Sequence, residues 1–103
     1  MVILCFYVPT ENLEEVKNAL FNIGAGRFNN YDCCCWESKG TGQFRPLINS
    51  NPHIGIQDKI EKVEEFKVEM VCKKEILPDI ISELLRVHPY EEVAYHLIEQ
   101  PKL

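Results

Sequence analysis

The two halves of this sequence carry the same helical stripe of apolar residues, and this repeat limits the possible folds more than any other feature. The first stripe falls on Leu13, Val16, Leu20 and Ile23, and the second on Leu77, Ile80, Leu84 and Val87. Apolar residues three and four positions apart are typical of a helix with one buried face. Each stripe follows a strand-like segment, so two strand–helix–strand units are predicted.

The strands are predicted from shorter patterns. Residues 2–8 are apolar without alternation, as in a strand buried on both faces, whereas residues 66–73 alternate apolar and charged side chains. Residues 31–39 and 93–98 are also predicted to be strands, and Tyr31 aligns with Tyr95 in the repeat. Gly40–Gly42 is interpreted as a turn into a short strand over residues 43–47, which makes an extra hairpin.

Two such units joined by right-handed crossovers give a four-stranded antiparallel sheet with both helices on one face. The predicted class is therefore α+β, a ferredoxin-like sandwich of βαβ repeats with an extra hairpin, in a single domain over residues 1–103. No helix covers the second face of the sheet, and we expect an exposed apolar patch there. The patch predicts a homo-oligomer that packs its open faces together.

Composition restricts the partners and the compartment. Eleven Lys and Arg against 16 Asp and Glu give a net charge of −5, with the basic residues scattered, which argues against nucleic acid as a ligand. The apolar start is too short for a membrane span and lacks the pattern of a secretory signal, so no membrane association and a cytoplasmic location are predicted. Five cysteines, three of them consecutive, favour reduced thiols over a disulfide framework.

The segment HPYEE carries the most chemistry. His88, Glu91 and Glu92 supply an imidazole and two carboxylates, which suit acid–base catalysis or metal binding. The alternative is a helix stop in which His88 caps the last carbonyls, Pro89 prevents continuation and Tyr90 packs over the turn. The residue pattern leaves both interpretations open.

Two further motifs have structural alternatives of their own. Cys33 and Cys35 would share one face of a strand and offer half of a soft-metal site, or else all three cysteines are small buried hydrophobic residues. Gly40, Thr41 and Gly42 either present backbone amides to an anion or form the hairpin turn. Neither motif completes a site within one chain.

Three strings, GAGRFNNYDCCCW, GTGQFRP with NPHIG, and HPYEEVAY, occur in this order along the chain. Together they resemble the insert domain of the Ngg-one-interacting-factor-three family, dimetal proteins also labelled GTP cyclohydrolase type one-like. That insert is similar to P-II and CutA domains, and this chain resembles a free-standing copy of it. The family's dimetal ligands belong to lobes outside the insert, so the resemblance implies no catalytic residue and identifies no cofactor here.

The resemblance implies a non-enzymatic regulatory or binding module, a trimer whose intersubunit clefts take a small molecule or metal ion. Candidate ligand-binding residues are His88, Tyr90, Glu91, Glu92, Gly40, Thr41, Gly42 and Phe44. Candidate metal ligands are His88, Glu91 and Cys35. Two alternatives remain: a hydrolase that uses His88 with Glu91 or Glu92, and an interaction piece for a larger dimetal protein.

Overall fold

The sheet has four antiparallel strands, and the computed structural model describes residues 1–100 of the chain. In chain order the elements are β1 (Val2–Pro9), α1 (Leu13–Asn22), β2 (Trp36–Phe44), β3 (Glu61–Cys72), α2 (Leu77–Val87) and β4 (Tyr95–Glu99). The strand order across the sheet is β2-β3-β1-β4. This arrangement confirms the predicted α+β, ferredoxin-like class.

Each helix begins and ends where local chemistry requires it. A short 3₁₀ turn precedes both helices, and acidic residues occupy the first helical turns, where they face the positive end of the helix dipole. After α1 the chain reverses at Gly24, whose φ of 107° favours glycine. Pro78 lies in the first turn of α2, where a missing N–H costs nothing.

The core lies between the helices and one face of the sheet. Alternate residues of β1 pair with alternate residues of β3 and face the same side, so that Leu4 lies opposite Met70 and Phe6 opposite Val68. They join Val16, Leu20, Ile80 and Leu84 in one buried cluster. Both helices therefore cover the same face, and the two stripes pack into one core except at Ile23, which follows α1 and is 38% exposed.

The predicted hairpin turn at Gly40–Gly42 is wrong. Residues 36–44 form one continuous strand whose register pairs Gly40 with Glu65 and Gly42 with Val63, so these glycines lie inside a strand and not in a turn. The strand continues because β3 begins at Glu61, before the strand-like segment predicted over residues 66–73, and provides a partner along the whole length of β2. The β2–β3 pair takes the place of the extra hairpin.

The strand predicted over residues 31–35 is also wrong. Cys33 has a φ of 54°, which breaks an extended conformation, and the Cys34 N–H donates instead to the Gly26 carbonyl at 2.8 Å. Gly26 in turn donates to the Val71 carbonyl at 2.8 Å, so this segment folds over the end of β3. Tyr31 is 73% exposed and lies outside the sheet, whereas Tyr95, its counterpart in the sequence repeat, is the first residue of β4.

The open face of the sheet carries both apolar and charged side chains. Register places Ile3, Trp36 and Ile98 on this face, together with Lys67 and Glu69. Trp36 is 70% exposed and Ile98 is also exposed. The predicted apolar patch is present at this end of the face.

Within residues 1–100, no helix is long and apolar enough to cross a membrane.

Candidate functional site

His88 joins the segment after α2 to the end of β1. The His88 side chain is only 6% exposed, and its Nε2 lies 2.6 Å from the carbonyl oxygen of Tyr7. On the other side of the ring, the Tyr90 N–H donates to Nδ1 at 3.1 Å. Since a carbonyl only accepts, Nε2 carries the proton and the imidazole is neutral. His88 therefore clamps the HPYEE segment onto β1.

This geometry argues against His88 as a general base or a metal ligand. Both ring nitrogens are occupied by backbone groups, so neither is free to exchange a proton with a substrate. Burial lowers the pKa of His88 below its ordinary value, although the Tyr7 carbonyl and Glu65 act in the opposite direction. The helix-stop interpretation fits better: α2 ends at Val87, and the His88 N–H donates to the Leu84 carbonyl at 3.0 Å.

Tyr90 links the same segment to β3. The Tyr90 hydroxyl donates to Glu65 Oε2 at 2.7 Å, in a partly buried position. Burial raises the pKa of the Tyr90 phenol, and the Glu65 carboxylate adds to the rise, so the hydroxyl stays protonated. The ring also packs against His88, with ring centroids 4.9 Å apart. Tyr90 is therefore held at both its backbone and its hydroxyl.

Gly42 leaves room for the Glu65 carboxylate. A Cβ built on Gly42 would lie far inside contact distance of Glu65 Oε1, whereas a Cβ on Gly40 would meet nothing within 4 Å. The Glu65 side chain therefore lies across the backbone of β2 at Gly42. Gly42 is needed for the space that it leaves to the Glu65 side chain and not for its backbone conformation, since neither Gly40 nor Gly42 is among the glycines with positive φ.

We expect Gly42→Ala to lower the free energy of unfolding by about 1–2 kcal/mol relative to Gly40→Ala, because it displaces Glu65 from the Tyr90 hydroxyl. Chemical denaturation measures both variants. In a Tyr90→Phe background the difference between the two alanine variants should shrink to near zero. Equal effects of the two substitutions in the wild-type background would contradict this role for Gly42.

A cavity of about 540 Å³ opens beside this Tyr90–Glu65 pair. Its walls are formed by the C-terminal ends of β1 and β2, the N-terminal half of β3, and the two loops that follow β2 and α2. The loops meet where the Asn51 N–H donates to Glu91 Oε2 at 2.9 Å. The aromatic and histidine side chains of the lining are Tyr7, Phe44, His53 and Tyr90, and the charged ones are Arg45, Glu65, Glu91 and Glu92.

The lining combines aromatic rings with a few polar groups, as small-molecule sites commonly do. The Tyr90 ring centroid lies 6.3 Å from that of Phe44 and 6.5 Å from that of His53, both in tilted arrangements. Leu47 and Ile54 of the loop after β2 add aliphatic surface. The cavity can therefore enclose an apolar group while Glu65 or a rim charge fixes a polar one.

Five of the eight candidate ligand-binding residues line this cavity: Gly42, Phe44, Tyr90, Glu91 and Glu92. His88 is not in the lining, but its ring accepts the Tyr90 N–H and so positions Tyr90. Gly40 and Thr41 lie in the β2–β3 ladder and are not part of the lining. HPYEE and GTGQF, far apart in the chain, thus meet at one site.

The three candidate metal ligands are not brought together. Glu91 lines the large cavity, whereas Cys35 lines a second, shallower cavity of about 310 Å³ that shares no residue with the first. Burial raises the pKa of the Cys35 thiol, which disfavours the thiolate that metals prefer. Within residues 1–100, no three His, Cys, Asp or Glu side chains form a group able to hold a metal ion.

The cysteine triplet does not act as two faces of a strand. Cys33 is exposed, and Cys35 packs against the hydrophobic core. Cys34 lies in the second cavity beside Trp36 and Ile3. All five cysteines are free thiols.

Sequence reasoning missed Glu65, Tyr7 and Asn51. Glu65 lies in a stretch rich in charged residues, and its place in β3 becomes visible only in the pairing of β3 with β2, where Glu65 lies opposite Gly40. Tyr7 belongs to a strand that the sequence predicts to be buried. It lines the cavity because it lies near the C-terminal end of β1, on the face of the sheet that no helix covers. The glycines of β2 were the one available signal, since a glycine inside a strand often marks a close approach.

Comparisons with known proteins agree with this fold. A curated protein of Bacillus subtilis called GTP cyclohydrolase 1 type 2 homolog is 42% identical over 94 residues, which are 91% of this chain and 25% of that protein. The protein of the same name from Mycobacterium tuberculosis is 38% identical over 91 residues, 88% of this chain and 24% of that protein. A scan against protein-family models gave no match.

Solved structures give the same result. The Bacillus cereus protein related to NIF3 superposes with a TM-score of 0.80 at 34% identity, over 94% of this chain and 24% of that one. CutA1 from Pyrococcus horikoshii superposes with a TM-score of 0.72 at 16% identity, over 100% of this chain and 86% of that one, which shows a shared fold. The chain spans about a quarter of the length of the curated relatives it matches.

Proposed function

Because this chain is homologous to one segment of the NIF3-related, GTP cyclohydrolase 1 type 2 homologs and shares the CutA fold, we propose that it is a non-enzymatic binding module. It acts as one domain over residues 1–103, takes a small ligand into the large cavity and works as a regulator. The observation that carries this proposal is the cavity itself, built around a Tyr90–Glu65 hydrogen bond of 2.7 Å.

The form of the site supports binding over catalysis. The only imidazole of HPYEE is buried and bonded at both nitrogens, so the hydrolase alternative loses its acid–base group. Tyr90 is held protonated by its surroundings. A site whose polar groups are fixed in advance loses little entropy when a ligand enters, which favours recognition.

We also propose that the module is a homo-oligomer, a trimer as its likeness to P-II and CutA domains implies, with the ligand in the clefts between subunits. Exposed Trp36 and Ile98 on the open face supply apolar surface for such contacts. Strands β2 and β4 are the two edges of the sheet, and each offers unpaired backbone groups. We place the assembly in the cytoplasm.

Light scattering coupled to size exclusion should give the mass of three chains at micromolar concentration, with and without chelator. Metal analysis of the same peak tests whether an ion is part of the assembly. Trp36→Lys should dissociate the assembly, while Leu85→Lys, an exposed apolar position on α2, should leave it intact. A monodisperse monomer of the wild-type protein would contradict the oligomer.

A second candidate is an interaction piece for a larger protein of the same family. It is favoured by the coverage, since the matched segment is about a quarter of each relative. In this case the open face would bind the rest of such a protein in trans. A mixed complex in size exclusion, lost in Trp36→Lys, would support this function over self-assembly.

A further inference from the structure

We propose that the large cavity is selective for a small organic cation, an aromatic or aliphatic body that ends in a protonated amine, and that Glu65 is the carboxylate that receives the amine. This inference rests on the proposed small-ligand function of the cavity and specifies the chemical class of the ligand. Three features of the cavity support it: the position of Glu65, the aromatic rings of the lining and the balance of charge.

The Glu65 carboxylate can accept a further hydrogen bond besides the one from Tyr90. Its Oε2 accepts the Tyr90 hydroxyl, and its Oε1 lies over Gly42. Within residues 1–100, Glu65 forms no ion pair: Lys67, two residues along on the same face of β3, approaches Glu69 at 3.7 Å instead. A half-buried carboxylate without a cation of its own favours a charged donor from a ligand.

Aromatic rings line the same cavity as this carboxylate. Tyr7, Phe44 and Tyr90 line the cavity with Glu65, and the Phe44 and Tyr90 centroids are 6.3 Å apart. Ring faces carry negative electrostatic potential and attract organic cations, most strongly where water is excluded. The same rings also pack against the apolar body of a ligand.

The charge of the lining has the same sign as the carboxylate. The lining contains three carboxylates, Glu65, Glu91 and Glu92, and one basic side chain, Arg45, which is exposed. Glu91 accepts the Asn51 N–H and so fixes the loop, while Glu92 is an exposed rim charge. The whole chain carries a net charge of −5, which also draws cations toward it.

Three probes with one carbon skeleton test the charge preference: phenylpropylamine, phenylpropanol and phenylpropanoate. Titrations at constant ionic strength follow the backbone amide NMR signals of the cavity, with Gly42, Glu65 and Tyr90 as reporters. We expect the amine to bind about tenfold more tightly than the alcohol and the acid to bind most weakly, since a charge-assisted contact is about twice as strong as a neutral one.

The variant Glu65→Gln removes the charge but keeps an oxygen that accepts the Tyr90 hydroxyl. It should weaken amine binding about tenfold and leave binding of the alcohol unchanged. The matched control is Glu15→Gln, which removes the same charge from an exposed position on α1. Binding to the control should equal that of the wild type.

The outcomes separate this inference from the function on which it rests. If the alcohol or the acid shifts the cavity signals at lower concentration than the amine, the cation preference is overturned while small-ligand binding stands. If none of the three probes shifts these signals, both fall. If Glu65→Gln and Glu15→Gln bind the amine equally, Glu65 is not the receiving carboxylate.

Discussion

His88→Ala is expected to lower the free energy of unfolding by about 2–4 kcal/mol. The substitution removes a buried ring and leaves two backbone groups without partners, the Tyr7 carbonyl and the Tyr90 N–H. A buried polar group that loses its partner costs about 1–3 kcal/mol, and the empty space adds to this cost. Thermal or chemical denaturation, followed by circular dichroism, measures the loss.

Two further variants define the cause of that loss. His88→Gln keeps a donor for Tyr7 and an acceptor for Tyr90, and should recover part of the lost stability. His96→Ala changes an exposed histidine on β4 and should shift stability by less than about 0.5 kcal/mol. Equal losses for His88→Ala and His96→Ala would mean that His88 is not a clamp.

The loss should extend to the cavity, because His88 holds Tyr90 and Tyr90 holds Glu65. In His88→Ala, amide signals of residues 89–94 should broaden or move, while those of α1 stay in place. Binding of phenylpropylamine should weaken in the same variant. A destabilised protein with an unchanged cavity spectrum would separate stability from the site.

Stability should fall as the pH is lowered below about 6.5, the ordinary pKa of histidine. Burial lowers the pKa of His88 in the folded protein, so the unfolded chain takes up a proton at a higher pH than the folded one. The stability contributed by neutral His88 is therefore present above 6.5 and is lost as the pH falls through the lower, folded pKa. One proton gives at most about 1.4 kcal/mol per pH unit.

The structure gives the local reason. A protonated ring has N–H groups at both nitrogens, and the Tyr90 N–H would then face another donor at 3.1 Å. The other charged side chains and the exposed His53 and His96 are the same in the wild type and in His88→Gln. The test is therefore the difference between the wild type and His88→Gln, which should shrink as the pH is lowered from 7.5 to about 4.5. Parallel curves would contradict the prediction.

Three residues of HPYEE, Tyr90, Glu91 and Glu92, line the large cavity, and ligand binding by this segment stays a prediction. Its residue types suit catalysis, and the sequence leaves catalysis and a helix stop open. The fold decides between them by placing the end of β1 against the ring, so that Nε2 meets the Tyr7 carbonyl. A residue 81 positions away occupies the nitrogen that a catalyst would need.

The sequence by itself determined the layers of this protein. Repeated helical stripes, the apolar strand over residues 2–8 and the helix stop at Pro89 are local patterns, and local patterns specify which residues face the core. The matched pairs Val16 with Ile80 and Leu20 with Leu84 are accordingly all buried. The order of strands then follows from the few topologies that two such units allow.

Tertiary structure alone decided the extent of β2 and the contents of the cavity. Gly40–Gly42 reads as a turn because glycine favours turns, yet a partner strand that supplies backbone hydrogen bonds on one side overrides this local preference. Glu65 gained its role from the space that Gly42 leaves and from a tyrosine 25 residues away. Contacts between distant residues depend on register, and no local pattern in this chain specifies the register of β2 on β3.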